Sequence, residues 1–235
     1  DLYYAPNNLT MLLVGDIDPD ETIKLVKQYF ERIPRGKNAP PEVVTLEEKQ
    51  HGEKRLIAEA ESSPKAEIWY HTVAWKHPDS YPLEVLAGIM SGKTGRLYKK
   101  LVRELGLAAH AQANAEWKID PGLFTFDVKL RPGMDPDAGE RALYAELESI
   151  AADGISAKEL EKAKNRVLSD FFNGVQTVNG KANRIGRYEL LFRDFNEIYN
   201  VQDRYRAVTV EDVKRVAGQY FKSTNRNVLT LIPEA

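Results

Sequence analysis

The four histidines are the side chains of this sequence best suited to binding a metal or moving a proton, because imidazole does both near neutral pH. They are His51, His71, His77 and His110. A peptidase zinc site commonly takes two ligands from one helical turn, as in His-x-x-x-His or His-x-x-Glu-His, and no pair here has that spacing. His110 as a lone general base would find neither a cysteine nor a Gly-x-Ser-x-Gly serine to activate. The sequence therefore predicts no metal-binding, cofactor-binding or catalytic residue in this chain.

The run from Ser91 to Thr94, Ser-Gly-Lys-Thr, resembles the end of a phosphate-binding loop. Such a loop needs another glycine five residues before the Gly-Lys pair, and a strand leading into it, so that successive amides face the phosphates. Ala87 stands at that position, Gly88 is out of register, and a helix is predicted ahead of the loop. The run is therefore interpreted as a connection between two helices.

Composition excludes several classes of protein. The 235 residues suit one large domain or two small ones, and 43% hydrophobic with 29% charged residues is ordinary globular usage. A net charge of −2 provides no basic field for nucleic acid and no polybasic patch for a membrane. Apolar runs such as Met11 to Val14 are too short to span a bilayer. The absence of cysteine excludes disulfides, thiolate catalysis and cysteine-ligated zinc.

The first fifty residues predict a strand, a helix and a linker. Residues 9–15 have the composition of a buried strand ending at a glycine. Asp18, Pro19 and Glu21 then have the types and order of the N-cap, first and third residues of a helix. The helix is predicted to end where residues 34–53, rich in Pro, Lys and Glu, begin an exposed linker.

The rest of the chain mixes strands and helices of unequal length. Periodicity and turn residues predict strands at 55–61, 66–75, 108–117, 122–130 and 227–232. Helix starts are predicted near Asp79, Arg96, Pro136, Ser156 and Thr209, the last two as capping boxes with Glu159 and Asp212. Evenly spaced Gly174, Gly180 and Gly186 predict a helix break, a close crossing or a mobile segment. This order favours an α+β class, with one mixed or antiparallel sheet and helices packed mainly on one face.

Three tryptophans stand in or near the predicted strands, at Trp69, Trp75 and Trp117. They either line a peptide groove or pack in the core, and the core or its rim is favoured. The two ends of the chain also resemble each other, since residues 7–14 and 225–232 both lead from asparagine-bearing turns into apolar strands. Either two strands are similar by chance, or a repeat unit precedes residue 7.

A series of short motifs resembles one protein family over essentially the whole chain. The most specific run is Gly-Arg-Leu-Tyr at 95–98 with Leu-Val at 101–102 and Gly-Leu-Ala at 106–108. The others lie at residues 4–8 with 14–16, 50–55, 77–79 with Leu83 and Leu86, 120–124, 159–164 and 208–213. Their order and spacing are similar to the second, non-zinc domain of bacterial pitrilysin/insulinase-like zinc metallopeptidases, the inverzincins.

In that family the first domain carries His-x-x-Glu-His and a distal Glu, which bind zinc and activate water. The second is a related α+β unit without metal that closes over the substrate. Some members place an Arg and a Tyr there, or in a partner subunit, to contact substrate. Residues 108–126 hold Ala, Gln, Asn and Trp instead of that pair, so no substrate-binding residue is assigned.

The resemblance implies that residues 1–235 form a single inactive domain, with 1–50 as an inter-domain passage. The expected function is to enclose and position unfolded peptide for a zinc-bearing domain or subunit outside this chain. This chain would need no cofactor, and zinc would belong to the full-length enzyme. The partners would be the zinc-bearing half and peptide, without nucleic acid or membrane insertion. Bacterial relatives are often exported, which favours the periplasm over the cytoplasm.

Two alternatives stay open. The chain would be a structural member of the same fold with no peptidase activity, as in the core subunits of respiratory complexes, where neither half binds zinc. Otherwise it would be an unrelated α+β domain that binds a small molecule. The presence of His-x-x-Glu-His upstream would favour the peptidase, and its absence would favour the structural member of the same fold. A fold unlike that of the family would leave the unrelated small-molecule-binding domain as the remaining hypothesis.

Overall fold

The structure is a computed structural model that describes residues 3–41 and 47–234. Its helices are α1 (Pro19–Phe30), α2 (Ser80–Met90), a π-helix (Tyr98–Glu104), α3 (Pro136–Asp153), α4 (Ala157–Gly174), α5 (Val178–Phe192), α6 (Glu197–Ala207) and α7 (Val210–Tyr220). Its strands are β1 (Lys54–Ala60), β2 (Lys65–His71), β3 (Ala108–Ala115), β4 (Leu123–Leu130) and β5 (Arg226–Pro233). No helix among the described residues is both long and apolar enough to cross a bilayer.

The chain forms two compact units, one from Gln50–Phe171 with Tyr199–Ala235 and the other from Asp1–Lys49 with Phe172–Ile198. The first unit contains a five-stranded sheet in the order β1-β5-β2-β4-β3. The pair β1–β5 is parallel, and the other three neighbouring pairs are antiparallel. The mixed sheet confirms the predicted α+β class. Within this unit α2 contacts β3, and α3 contacts β2 and β4.

The core of the sheet unit lies on the side of the sheet that faces these helices. Every second residue of the central strands is buried there, because successive strand side chains point to opposite faces. The buried strand residues include Ala66, Ile68, Tyr70, Phe124, Phe126, Val128 and Val228. The helices contribute apolar side chains at helical spacing, among them Leu83, Leu86, Met90, Leu143, Leu147, Ile150, Val213 and Val216.

The helix starts predicted from local motifs are confirmed. The Asp18 side chain accepts a hydrogen bond from the Glu21 amide at 2.9 Å. Thr209 and Asp212 form a reciprocal capping box at the start of α7. Ser156 and Glu159 do the same ahead of α4, where the Glu159 carboxylate accepts from the Ser156 amide at 3.0 Å. Each arrangement satisfies backbone amides that the first helical turn leaves unpaired.

The prediction of a strand at residues 9–15 is wrong. Within the described residues this segment joins no sheet, and Leu9, Met11 and Leu13 are at least half exposed. A strand is stabilised by pairing with a neighbour, and the apolar composition alone does not provide one. The segment belongs to the unit that also contains α1 and α5.

The predicted linker at 34–53 shows no helix or strand where it is described, and its residues 42–46 lie outside the described part of the chain. The helical run of residues 157–192 is broken as its glycines predict. α4 ends at Gly174, and a Cβ on Gly180 would lie 2.1 Å from the Gly174 carbonyl oxygen. Gly186 lies inside α5, where a Cβ would lie 2.9 Å from the Leu12 side chain. The first glycine thus marks the break, and the other two lie at close approaches.

Candidate functional site

The sheet has a second face, opposite the core, that solvent reaches. On β2 the side chains of Lys65, Glu67 and Trp69 are partly exposed, whereas Ala66 and Ile68 between them have no exposed surface. We call this surface the open face. It consists of Lys65, Glu67, Trp69, His110, Gln112, Asn114, Leu123, Thr125, Asp127, Asn227 and Leu229.

Strand register brings the open face together from four strands. Trp69 lies opposite Thr125 of β4 on one side and Asn227 of β5 on the other, and Asn114 of β3 lies opposite Thr125. Residues directly opposite on neighbouring strands have Cβ atoms about 5 Å apart, so their side chains interact. One large aromatic ring is therefore set in a row of amide and hydroxyl groups, which suits an extended polypeptide better than a small apolar ligand.

The next rows of the open face carry charge. The Lys65 ammonium binds Glu67 of its own strand and lies 2.6 Å from an Asp127 oxygen on β4. These bonds, chiefly the one to Asp127, raise the pKa of Lys65. All three side chains keep about a quarter to a third of their surface exposed (27, 26 and 30%). The cluster thus offers bonded polar groups in fixed positions at the solvent-facing surface.

Sequence reasoning missed this cluster. The alternation that predicts Ile68 and Tyr70 in the core also puts Lys65 and Glu67 on the opposite face, and that signal was available. The contact with Asp127 was not predictable, because it depends on the register between β2 and β4.

The tryptophans divide between the core and the open face. Trp75 is 1% exposed and packs against Tyr81, which confirms the core interpretation for that residue. Trp117, after β3, lies beside Trp75 and is partly exposed. Trp69 alone of the three lies on the open face.

The histidines do not converge. His51 is exposed ahead of β1, and His110 is exposed on β3. His71 Nδ1 lies 3.3 Å from Asn225 Oδ1, and His77 Nδ1 accepts a hydrogen bond from the Asp79 amide at 3.1 Å. Throughout residues 3–41 and 47–234, no group of three His, Asp or Glu side chains is placed to hold a metal ion. The donor set does not fit the zinc that the family resemblance implies for the full-length enzyme.

The Ser-Gly-Lys-Thr run follows α2 directly and connects it to the helical residues that begin at Arg96, as interpreted from the sequence. Its first residue has a structural task at the edge of the sheet. The Ser91 hydroxyl donates to the Ala113 carbonyl at 2.7 Å and accepts from the Ala113 amide at 2.8 Å. Gly92 adopts a φ of 79°, which favours glycine. The loop thus satisfies the backbone of β3.

Buried ion pairs hold the helices on the core side of the sheet. Arg55 of β1 binds Glu140 of α3 through two hydrogen bonds of 2.9 Å, and Glu140 is 3% exposed. Tyr144 and Thr230 also donate to this carboxylate, at 3.1 Å each. The bonds to Glu140 raise the pKa of Arg55 above its ordinary value. The cluster is fully bonded, so it is structural.

A second buried carboxylate connects the start of α2 to α7. Asp79 accepts from Arg215 at 2.7 Å and from the Tyr220 hydroxyl at 2.6 Å. Burial opposes ionisation, but these two bonds outweigh it and lower the pKa of Asp79. Both oxygens of this carboxylate are bonded within the fold, so the group is structural as well.

Comparison with known proteins agrees with this picture. A family model described as the Peptidase M16 inactive domain matches residues 1–167. The zinc protease PqqE of Helicobacter pylori is 28% identical over 236 aligned residues, which cover 99% of this chain and 53% of that protein. The crystal structure of a protease from Helicobacter pylori has a TM-score of 0.93 at 28% identity, and the match covers 99% of this chain and 57% of the other.

Two further structures extend the comparison. An inactive peptidase domain from Bordetella parapertussis is 30% identical, with a TM-score of 0.68, 74% of this chain covered and 95% of the other. A peptidase M16 inactive domain from Pseudomonas fluorescens has a TM-score of 0.82 at 17% identity, with 99% and 55% covered, and shows the likeness of fold alone. The chain spans about half the length of the curated relatives it matches.

The matched family confirms the resemblance drawn from the motifs. Its description as an inactive domain agrees with the described residues, among which no group is placed to hold a metal ion. The chain belongs to the peptidase M16 family, in which it matches the inactive domain.

Proposed function

We propose that this chain encloses and positions unfolded peptide for cleavage by a zinc-bearing half of the same protease. The open face is the wall that the peptide contacts, and Trp69 is its anchor. The observation that carries the proposal is the row formed by Asn114, Thr125, Trp69 and Asn227, in which an aromatic ring lies between hydrogen-bonding side chains on a solvent-facing sheet.

The chemistry of this row matches that of an unfolded peptide. Amide and hydroxyl side chains of Asn114, Thr125 and Asn227 both donate and accept hydrogen bonds, so they suit backbone groups whatever the sequence of the peptide. A partly exposed tryptophan offers a large rigid contact area at little cost in conformational entropy. Neither feature discriminates between the side chains of a peptide, so the open face would bind peptides of many sequences.

A peptide could also extend the sheet, and one edge is better placed for that. The outer edge of β3 is closed at its centre, since both backbone groups of Ala113 are bound by Ser91. At the opposite edge β1 pairs only with β5 among the described strands, and Leu56 and Ile57 are about 60% exposed. A peptide that adds a strand to this sheet would therefore pair with β1.

A similarity of fold supports the alternative of a purely structural subunit. A chain of Complex III2 from Candida albicans has a TM-score of 0.76 at 16% identity, with 92% of this chain and 53% of that one covered. The peptidase role is preferred because relatives such as PqqE, which are more similar in sequence, are described as zinc proteases.

Fluorescence anisotropy with a fluorescein-labelled, unfolded 15-residue peptide tests the proposal. The chain should bind it saturably, and Trp69→Ala should weaken binding by about tenfold, as for an interface anchor. Tyr199→Ala is the matched control, because Tyr199 is a 77% exposed aromatic in α6 and off the sheet. Absence of binding, or an equal loss in both variants, would overturn the proposal.

A further inference from the structure

A second feature of the sheet unit shares no residue with the open face. A cleft of about 280 Å³ lies between the loop that follows α2 and the first half of α4. Its floor is formed by small or apolar residues, Gly88, Ile89, Gly95 and Ala163. Its walls carry five basic side chains, Arg96, Lys99, Lys158, Lys162 and Arg166, and one carboxylate, Glu159.

Only one of the five cations is neutralised at short range within the cleft. Arg96 binds Glu159 with its Nε at 2.8 Å from Oε1 and an Nη at 3.1 Å from Oε2, and Glu146 lies 3.9 Å from it. The bond to Arg96 lowers the pKa of Glu159 to about 2. The single carboxylate is therefore ionised and engaged.

Among the described residues, the other four cationic side chains have no close carboxylate and are therefore available to bind an anionic ligand. Arg166 donates to the Ser91 carbonyl at 3.0 Å, with Asp170 4.0 Å away, and Lys162 reaches the Thr94 carbonyl at 3.4 Å. Carbonyl contacts leave a cation unneutralised. In the part of the chain that the structure describes, no carboxylate lies within ion-pair distance of Lys99, Lys158 or Lys162.

Size and charge together define the class of ligand. The cleft is smaller than sites that bury drug-sized molecules, which begin at roughly 300 Å³. Three lysines without an ion pair among the described residues, together with Arg166, whose nearest carboxylate oxygen lies 4.0 Å away on Asp170, match two phosphoryl groups, which carry roughly −3 to −4 near neutral pH. Cationic side chains surround the cleft, and the Glu159 amide in the first turn of α4 is already bonded to the Ser156 hydroxyl. A ligand would consequently be held by side chains, as a cluster of point charges.

We propose that this cleft binds a compact polyanion, of the pyrophosphate or tricarboxylate type, through Lys99, Lys158, Lys162 and Arg166. The site differs from a phosphate-binding loop, because Lys93 does not line it. Binding depends on charges at the protein surface and therefore weakens as salt shortens the screening length from about 30 Å at 0.01 M to about 8 Å at 0.15 M.

Isothermal titration calorimetry of the chain at low salt tests the proposal, with pyrophosphate, orthophosphate and citrate as probes. Pyrophosphate or citrate should bind saturably with one site per chain and more tightly than orthophosphate. If pyrophosphate binds more tightly than citrate, the natural ligand is a phosphate compound. If citrate binds more tightly, the natural ligand is a carboxylate compound. The double substitution Lys158→Gln and Lys162→Gln should lower the affinity for the more tightly bound probe by about tenfold or more.

Lys93→Gln is the control, because it makes the same type of substitution, with the loss of one positive charge, at a neighbouring exposed lysine. It should change the affinity by much less than the double variant, because Lys93 does not line the cleft and only one charge is removed. Titrations without saturation, or an effect of Lys93→Gln as large as that of the double variant, would refute the site. Thermal unfolding of each variant verifies that these exposed lysines have been changed without loss of the fold.

Discussion

The Ser91 hydroxyl occupies both outward-facing backbone groups of Ala113, at 2.7 and 2.8 Å. One side chain at the end of α2 thereby takes the place of a sixth strand at this point of the sheet. An exposed strand edge is a template for unwanted pairing, and proteins commonly cover or interrupt it.

Ser91→Ala should destabilise the chain by about 1–3 kcal/mol, because the Ala113 amide and carbonyl both lose the hydroxyl that bonds them, at a residue that is 9% exposed. Urea unfolding followed by circular dichroism measures the change, and hydrogen exchange should show a faster Ala113 amide. Ser169→Ala is the control, since Ser169 is exposed on α4. A change within about 0.5 kcal/mol for Ser91→Ala would mean that water replaces the hydroxyl.

Glu140→Ala should be more destabilising, by roughly 2–4 kcal/mol, since it leaves Arg55, Tyr144 and Thr230 without their common acceptor. The loss stays below that of a fully buried pair because Arg55 keeps 35% of its side chain exposed. Chemical denaturation measures it, with Glu148→Ala on the exposed side of α3 as the matched substitution. Similar losses for the two variants would contradict the role of the buried pair.

Stability should fall in acid partly through Glu159. Its pKa is lowered from 4.5 to about 2 by Arg96, against the opposing effect of burial, with further help from Ser156. Because the folded pKa is depressed, the stabilisation is complete above the unfolded value near 4.5 and is lost as pH falls towards 2. Glu53, Asp79 and Asp212 have lowered pKa values too and act in the same direction.

The measurement is the unfolding free energy between pH 5 and pH 2. Glu159→Gln should be less stable than the unsubstituted chain near neutral pH and show a shallower loss in acid. Glu161→Gln is the matched control, because it removes a 66% exposed carboxyl from the same helix. Equal slopes for the unsubstituted chain and Glu159→Gln would contradict the assignment.

Peptide cleavage should require both halves of the protease. We expect this chain alone to be inert towards a quenched unfolded peptide, because no described residues form a metal site. Mixed with its zinc-bearing half it should restore cleavage, since positioning accounts for up to about 7–11 kcal/mol of a barrier in the best intramolecular cases. A tether between the halves should raise the rate further by increasing effective concentration. Chelator-resistant cleavage by this chain, or full activity of the zinc half without it, would be decisive against the proposal.

The elements predicted correctly from the sequence are those fixed by neighbours along the chain. The Ser156–Glu159 and Thr209–Asp212 boxes join residues three apart, so residue type alone identifies them. Strand alternation in β2 and β4 is equally local. The arrangement of these elements into an α+β half-domain without zinc was predicted from the family motifs, because local rules do not provide it.

What was missed depends on residues distant in sequence. The strand expected at 9–15 would have needed a partner, and the described residues supply none. The Lys65–Asp127 contact depends on strand register, and the Arg55–Glu140 pair joins residues 85 apart. The basic cleft likewise gathers its lysines from two separate helical segments. No pattern in a single sequence brings these residues together.

The position of β5 between β1 and β2 determines when the sheet can close during synthesis. Glu53 and Arg226, which bind each other beside this strand pair, are 173 residues apart in the chain. At roughly 5–20 residues per second, a ribosome takes about 10–35 s to travel that distance. Throughout that interval β1 has no neighbour to pair with, and its exposed Leu56 and Ile57 are accessible to chaperones. The newly made chain therefore passes through a long period in which β4 can already pair with both β2 and β3, while β1 has to wait for β5.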